Sequence, residues 1–354
     1  MTIKKLKIQN FRCFEDGKFE FDPVFTIITG KNAVGKSSVL EAINFLSVCK
    51  SFRTTDYKEL IKEKNDYFFV EGVVSTENKD DKLSIFSCEG SKTAKINNCK
   101  IDKLSEYVGY FNIVSFAALE FFAIKTNSAE RRKMFDLVFC QISKDYLNSS
   151  NYYKKLLKER NTLLKSFIIE NNKGLEVLFD TISEQLVFYG NKIIELRKAF
   201  CEKISIYANS IHDKITDGKE NLILEYKQSV DSDFTQKIQT SKNEDLKKGY
   251  TTLGPHRDDF IFSVNGKNVM KYGSQGQQKN SILSVKLAMA ELINEIKKEA
   301  PTLLLDDIFS ELDKKRQNAI IENLNPNFQT IMTSASVSDI DESILKNSLI
   351  INLE

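Results

Sequence analysis

The sequence predicts an α/β protein in two lobes: a mixed sheet with helices, interrupted by a helical, coiled-coil-like insertion. Three observations predict it. Residues 3–125 read mostly as short strands around one helix beginning near Ser37. From Ser128 to Gly218 the apolar period changes to the helical one. Alternation then returns at Phe260, before a further helix and a buried strand over 301–307. At 354 residues the chain exceeds one small core and fits two units. Lobe I is expected to comprise residues 1–125 and 246–354, and lobe II, an arm, residues 126–245.

Each element follows from local chemistry. Met1 to Ile8 alternates like a strand and lacks the continuous apolar core of a signal peptide; no apolar run reaches membrane-spanning length. Phe25-Thr26-Ile27-Ile28-Thr29 is a buried strand feeding into Gly30. Residues 67–100 have a period near two, with Asn97-Asn98 as a turn. Leu175, Leu178, Ile182, Leu186, Ile193, Ile204 and Ile215 mark a long amphipathic helix, which Gly218 should cap. Leu156, Leu157, Leu163 and Leu164 mark an earlier helix, antiparallel to the first across a break at Asn171-Asn172-Lys173-Gly174. Phe260–Val264 and Lys267–Lys271 read as strands joined by an Asn265-Gly266 hairpin turn. A helix over 278–298 precedes the strand that ends in Asp306-Asp307.

Lys plus Arg total 51 against 49 Asp plus Glu, a net charge of +2, so a nucleic-acid site must be a local patch rather than bulk attraction. An apolar content of 41% supports a globular core. The six cysteines show neither Cys-x-x-Cys nor zinc-ligand spacing, which points to reduced thiols and a cytoplasmic location.

Gly30-Lys31-Asn32-Ala33-Val34-Gly35-Lys36-Ser37 fits G-x-x-x-x-G-K-[ST] with a strand before it and a helix, including Ser38, after it. The glycines let backbone N–H groups converge on phosphate oxygens, Lys36 balances the β/γ charge, and Ser37 can ligate Mg²⁺. The binding of ATP follows as an expectation. Asp306 should hold the metal and Asp307 should polarise the attacking water. Gly273-Ser274-Gln275-Gly276-Gln277-Gln278 opens an amphipathic helix, where the Ser274 hydroxyl and Gly276 N–H can meet a γ-phosphate; a polar N-cap is the plainer alternative. In Ser310-Glu311-Leu312-Asp313, Ser310 could likewise be a helix cap.

In this order these segments resemble the P-loop, Walker B, signature and D-loop of ABC-type and SMC ATPases. Within that class Asn10-Phe11-Arg12, Lys50-Ser51-Phe52-Arg53-Thr54, Ala129 to Asp136, and Gly254-Pro255-His256-Arg257-Asp258-Asp259 resemble the RecF family. The resemblance spans nearly the whole chain. It implies an ABC-type ATPase head with a short arm and an ATP-dependent head-to-tail homodimer, in which Ser274, Gln275, Gly276, Gln277 and Asp313 face the partner's ATP. It implies binding to duplex DNA near single-strand gaps and, with RecR and RecO, loading of RecA. Asp307 replaces a common Glu, Phe116 to Phe121 departs from the family's Phe-x-Pro-Glu-Asp-Leu, Phe52 stands where a His is usual, and no switch histidine follows residue 333. Slow hydrolysis is the expected result. The residues favoured for DNA phosphates are Arg131, Arg132, Lys133, Lys154, Lys155, Lys158, Arg160 and Lys165; a solvated helix face is the alternative. His256 reads as structural, with Asp258 and Asp259 as partners for Arg257. Another SMC-like repair ATPase and the ATPase subunit of a transporter remain alternatives.

Overall fold

The structure is a computed structural model that describes all residues except 77–78, 171–174, 231–232, 309–316, 319–320, 323, 337–339 and 341. Strands β1 (Thr2–Phe11), β2 (Phe14–Glu20) and β3 (Phe25–Gly30) lead into helix α1 (Lys36–Val48). After it come β4 (Tyr67–Ser75), β5 (Asp80–Cys88), β6 (Ser91–Ile96), β7 (Cys99–Ile101), α2 (Leu104–Tyr107) and β8 (Ile113–Ala117). The helical stretch holds α3 (Ala118–Thr126), α4 (Ser128–Ile142), α5 (Lys144–Glu170) and α6 (Glu176–Ile215). Next are β9 (Leu222–Lys227), α7 (Phe234–Thr240), α8 (Lys242–Lys248), β10 (Asp259–Val264), β11 (Lys267–Asn268), α9 (Val269–Tyr272) and α10 (Gln275–Lys297). β12 (Thr302–Asp306), β13 (Thr330–Ser334) and β14 (Leu349–Leu353) complete the described strands.

The mixed character expected of the sheet is divided among separate sheets. One has six antiparallel strands in the order β2-β1-β4-β5-β6-β7, one has three, β11-β10-β9, and one has five parallel strands, β14-β3-β13-β12-β8. The parallel sheet separates two apolar cores. Ile27, Leu303, Leu305, Met332 and Phe116 face the core shared with α4, α6 and α10, whereas Ile28, Leu304, Ile331 and Ile113 face α1 and the six-stranded sheet. Burial on both faces explains why these strands are unbroken apolar runs. Gln329 ties the two layers together: its Oε1 accepts from Ile3 N, and its Nε2 donates to Ile3 O and Asp22 O, all at 2.8 Å.

The arm is a helical hairpin. α6 has 40 residues, about 60 Å of helix. It ends at Ile215; Asp217 adopts φ 52° and Gly218 N bonds Asp213 O, so the expected glycine closes the turn just beyond the cap. The expected break at 171–174 lies outside the described residues. β9 pairs with β10 along six positions, so the segment after the hairpin shares a sheet with residues on the other side of position 245.

Both Asn-containing hairpins form with φ > 0 at the two turn residues, Asn97-Asn98 and Asn265-Gly266. The strand expected over Lys267–Lys271 is a correction. Only Lys267–Asn268 pairs, because the Asn268 side chain then accepts from Lys271 N and starts the single turn of α9.

Candidate nucleotide site

The site begins with backbone conformations few residues tolerate. Gly30 and Gly35 sit at φ 148° and 107°. A Cβ on Gly35 would lie 2.6 Å from Cys13 Sγ, so both the angle and the space require glycine there. Ala33 also has a positive φ, 70°, within the exposed arch of Lys31, Asn32 and Ala33. Gly35 forms the N-cap of α1 without a side-chain hydrogen bond, and its carbonyl accepts from Ser38 N at 2.9 Å and Val39 N at 3.1 Å, which leaves the first-turn N–H groups of Lys36 and Ser37 to point at an anion. Lys36 is mostly buried and folds over the loop, its Nζ donating to Gly30 O at 2.6 Å and Lys31 O at 2.9 Å.

β12 delivers Asp306 to this helix end across the intervening β13. Ser37 Oγ donates to Asp306 Oδ1 at 2.7 Å, and Thr333 Oγ1 donates to the same oxygen at 2.9 Å. Burial raises the Asp306 pKa above its ordinary value, against those two hydrogen bonds and the nearby Arg53. Asp307 is exposed, at φ 53°, with its N–H bonded to Thr333 Oγ1 at 2.9 Å. Thr333 therefore holds the Asp306 carboxylate and the Asp307 backbone from the strand after which no histidine stands. A serine hydroxyl beside a carboxylate is a hard-oxygen pair suited to Mg²⁺, which takes one or two carboxylates and fills its shell with phosphates and water. Among the described residues no group of three His, Cys, Asp or Glu could hold a metal.

Ser274 and Gln275 are exposed at the start of α10. The polar-cap reading holds: Ser274 Oγ accepts from Gln277 N at 3.2 Å, and Gln277 Oε1 accepts from Ser274 N at 2.9 Å. That bond uses the hydroxyl as acceptor and leaves its proton available to donate. Gln277 Nε2 donates to Glu220 Oε1 at 2.9 Å, and Glu220 Oε2 lies 3.0 Å from His212 Nε2 near the end of α6. Gly276 is half-buried in the same turn. Ser310 and Asp313 lie outside the described residues.

A model of the RecF/RecN/SMC N-terminal domain matches residues 2–347. A DNA replication and repair protein RecF from Lactococcus lactis subsp. cremoris (strain MG1363) is 40% identical over 337 residues, covering 95% of this chain and 93% of that protein. The RecF of Clostridium kluyveri is 40% identical over 354 residues, covering 98% and 96%. The chain belongs to the RecF family. A solved recombination mediator protein RecF-ATP of the RecFOR pathway superposes with a TM-score of 0.88 at 35% identity, covering 96% of this chain and 93% of that one. An Smc head bound to the C-winged helix domain of ScpA gives a TM-score of 0.55 at 17% identity, a likeness of fold alone.

The segments that resembled RecF meet in pairs. Arg12 and Ser51 both bond Glu41, a residue that sequence reasoning missed: Arg12 binds it through two nitrogens at 2.7 and 2.8 Å, and Ser51 Oγ donates to it. Glu41 has no exposed surface, and a charged residue between Leu40 and Ala42 of an apolar helix was the available signal. On the other side of the parallel sheet, Arg131 grips Asp259 at 2.7 and 2.8 Å, and Arg132 donates to Asp258 O. Asp258 accepts from Ser229 N and Tyr226, so the expected pairing of Asp258 and Asp259 with Arg257 is corrected. Glu120, in the divergent 116–121 segment, pairs with Lys286 of α10.

The DNA-facing set is corrected in two places. Arg160 has no exposed surface; its guanidinium donates to Asp245 Oδ2 at 2.7 Å, Thr251 Oγ1 at 2.7 Å and Ser183 Oγ at 2.9 Å. Arg131 is largely buried on Asp259. Lys154, Lys155, Lys158 and Lys165 are exposed along α5. His256 is tied into the scaffold on both ring nitrogens: its Nδ1 lies 2.7 Å from Tyr153 Oη and its Nε2 3.0 Å from Thr251 O, and burial holds its pKa down at about 4.

Proposed function

We propose that this RecF-family chain is an ATP-dependent DNA-binding recombination mediator and a slow, DNA-dependent ATPase of the cytoplasm. The observation that carries the nucleotide part is the meeting of Ser37 and Asp306 at the uncapped start of α1. Lys36 and the Gly30–Ser38 backbone would hold the triphosphate, Ser37 and Asp306 the Mg²⁺, and Asp307 the attacking water. Magnesium would supply charge neutralisation at the β/γ oxygens. Ser274, with Gln275, Gly276, Gln277 and Asp313, would complete the ATP site of a second copy in a head-to-tail homodimer. The head of residues 1–125 and 246–354 would carry that interface, and the arm of residues 126–245 would flank duplex DNA near a single-strand gap, where RecR and RecO help load RecA. Arg132, Lys133, Lys154, Lys155 and Lys158 are the proposed phosphate contacts. A RecF solved with ATP supports the nucleotide assignment.

Sedimentation with and without a non-hydrolysable ATP analogue and Mg²⁺, repeated with gapped duplex, tests this reading. A nucleotide-dependent dimer that Lys36→Ala abolishes is the expected result. A monomer at saturating nucleotide and DNA would overturn it.

A further inference from the structure

A second cavity is separate from the P-loop. It has a volume of about 720 Å³ and opens between the end of α1 and the start of β6 on one side and α4, α5 and α6 on the other. Its wall carries Lys50, Lys92, Arg132, Lys133, Lys154 and Arg197 against a single carboxylate, Asp136. In a chain whose net charge is only +2, that is a strong local excess, and a cleft with low-dielectric walls focuses such a field.

The cations differ in what they already hold. Arg197 and Asp136 neutralise each other at 2.7 Å on the inner wall. Lys92 donates to Cys49 O at 3.0 Å and lies 3.4 Å from the centre of the Tyr57 ring. Lys133 has only a partly exposed partner, Glu130 at 3.4 Å, a pair worth little in water. Among the described residues, no carboxylate lies within ion-pair distance of Lys50 or Lys154. Both lysines line the same cavity, and burial, with the charge of Lys154 adding to it, lowers the Lys50 pKa. Asp136 is the carboxylate of the lining that both lysines feel, and it is already held by Arg197 at 2.7 Å and by Tyr146, so the lysine pair keeps an excess of positive charge suited to a further anion.

The rest of the lining is of the opposite kind. Val48, Leu104, Val108, Leu137, Leu157 and Ile193 form an apolar floor, and Tyr57, Tyr153 and His256 add ring faces. Held neutral near physiological pH, His256 contributes a ring rather than another charge. The volume lies within the range of about 300–1,000 Å³ usual for small-ligand sites. Cations on one rim and apolar and ring surface beneath match the two halves of a nucleotide, a phosphate and a base.

We infer that this cleft binds one nucleotide unit, its phosphate between Lys50 and Lys154 and its base on the apolar floor. The unit could be a free nucleotide or an unstacked residue of a single strand; the chemistry is shared. Only the second source rests on the proposed DNA-acting role.

The test uses the full chain with its P-loop saturated by a non-hydrolysable ATP analogue and Mg²⁺. Labelled dAMP and a fluorescent twelve-residue thymidine strand are titrated onto the wild type, Lys50→Glu/Lys154→Glu, and the control Lys18→Glu, an exposed lysine of β2 outside both proposed sites. At low salt the double variant is expected to lose about tenfold or more in affinity for one probe, with a shallower salt dependence, while the control stays within about twofold. Loss confined to dAMP identifies a free nucleotide, and loss confined to the strand identifies an unstacked residue. Equal affinities in all three proteins, or binding of neither probe by the wild type, would overturn the inference. Thermal unfolding confirms that the variants fold, and Leu157→Gln, which alters the floor without touching a charge, should weaken the same probe. Nucleotide-dependent sedimentation is recorded in parallel. A cleft that binds nothing in a protein that still dimerises with the ATP analogue defeats this inference alone; a cleft that binds in a protein that never dimerises defeats the head-to-tail ATPase reading alone.

Discussion

Arg160 places a full charge where the protein has no exposed surface, and every side chain that answers it belongs to an element far away in the chain. Asp245, Thr251 and Ser183 hold it, and its guanidinium lies 4.6 Å from the centre of the Phe179 ring. Removing one partner leaves an uncompensated buried charge. Arg160→Ala is therefore expected to cost about 3–5 kcal/mol in urea unfolding and to leave the salt dependence of DNA binding unchanged. The sequence contained the warning. Arg160 follows Leu156 by four residues and precedes Leu164 by four, on the buried stripe of α5, and the density of neighbouring lysines obscured that spacing. His256 supplies a pH test. Its imidazole is held at about 4 against 6.5 ordinarily, so between those values the unfolded chain binds more protons. Stability is fully present above about pH 6.5, falls as the pH drops toward 4, and levels off below. His256→Gln should flatten that fall by at most about 3 kcal/mol, compared by urea unfolding at pH 7 and pH 4.5.

At the scale of elements, the start of α10 is wired to the arm. Gln277 bonds Glu220, Glu220 reaches His212, and His212 Nδ1 lies 3.1 Å from Ser284 Oγ, which returns the connection to α10. The turn bearing Ser274 thus depends on the last residues of a 40-residue helix. Glu220→Ala should weaken nucleotide-dependent dimerisation about tenfold, the cost of about one hydrogen bond, with little change in nucleotide binding by the monomer. Sedimentation and nucleotide titration separate the two effects, and Glu220→Gln should restore part of the loss. Most of these elements were legible in the sequence. The P-loop strand and helix, the two Asn turns and the long helix follow from local rules that act within a few residues. The Gln277–Glu220–His212 connection was not legible, because it joins positions with no shared periodicity. Glu41, where two separate segments converge, was hidden for the same reason.

At the scale of the molecule, the parallel sheet is the structural divide, and each of its inner strands feeds two cores by alternate residues. The proposed reaction centre lies at one end of that sheet, where Asp307 is exposed and Ser274 is displayed on a separate turn. A second copy is the proposed means of joining them. Asp307→Asn should retain ATP, lower turnover by about 10²–10⁴-fold, and lengthen the lifetime of the dimer in sedimentation and single-turnover measurements. Normal turnover in that variant would remove Asp307 from its assigned role. The sequence signalled the helical hairpin of α5 and α6 through its change of period; the division of the strands among separate sheets depends on pairings across more than three hundred residues and left no local trace.

One of those pairings orders events in time. The P-loop strand β3 is flanked by β13 and β14, and a side chain on Gly30 would strike Leu353 O at 2.4 Å. On a ribosome, the loop emerges with both edges of its strand bare and waits until residues 349–353 have been made. The nascent chain thus carries its phosphate loop without the lateral support that shapes it, and competence for nucleotide waits on strands made more than three hundred residues later.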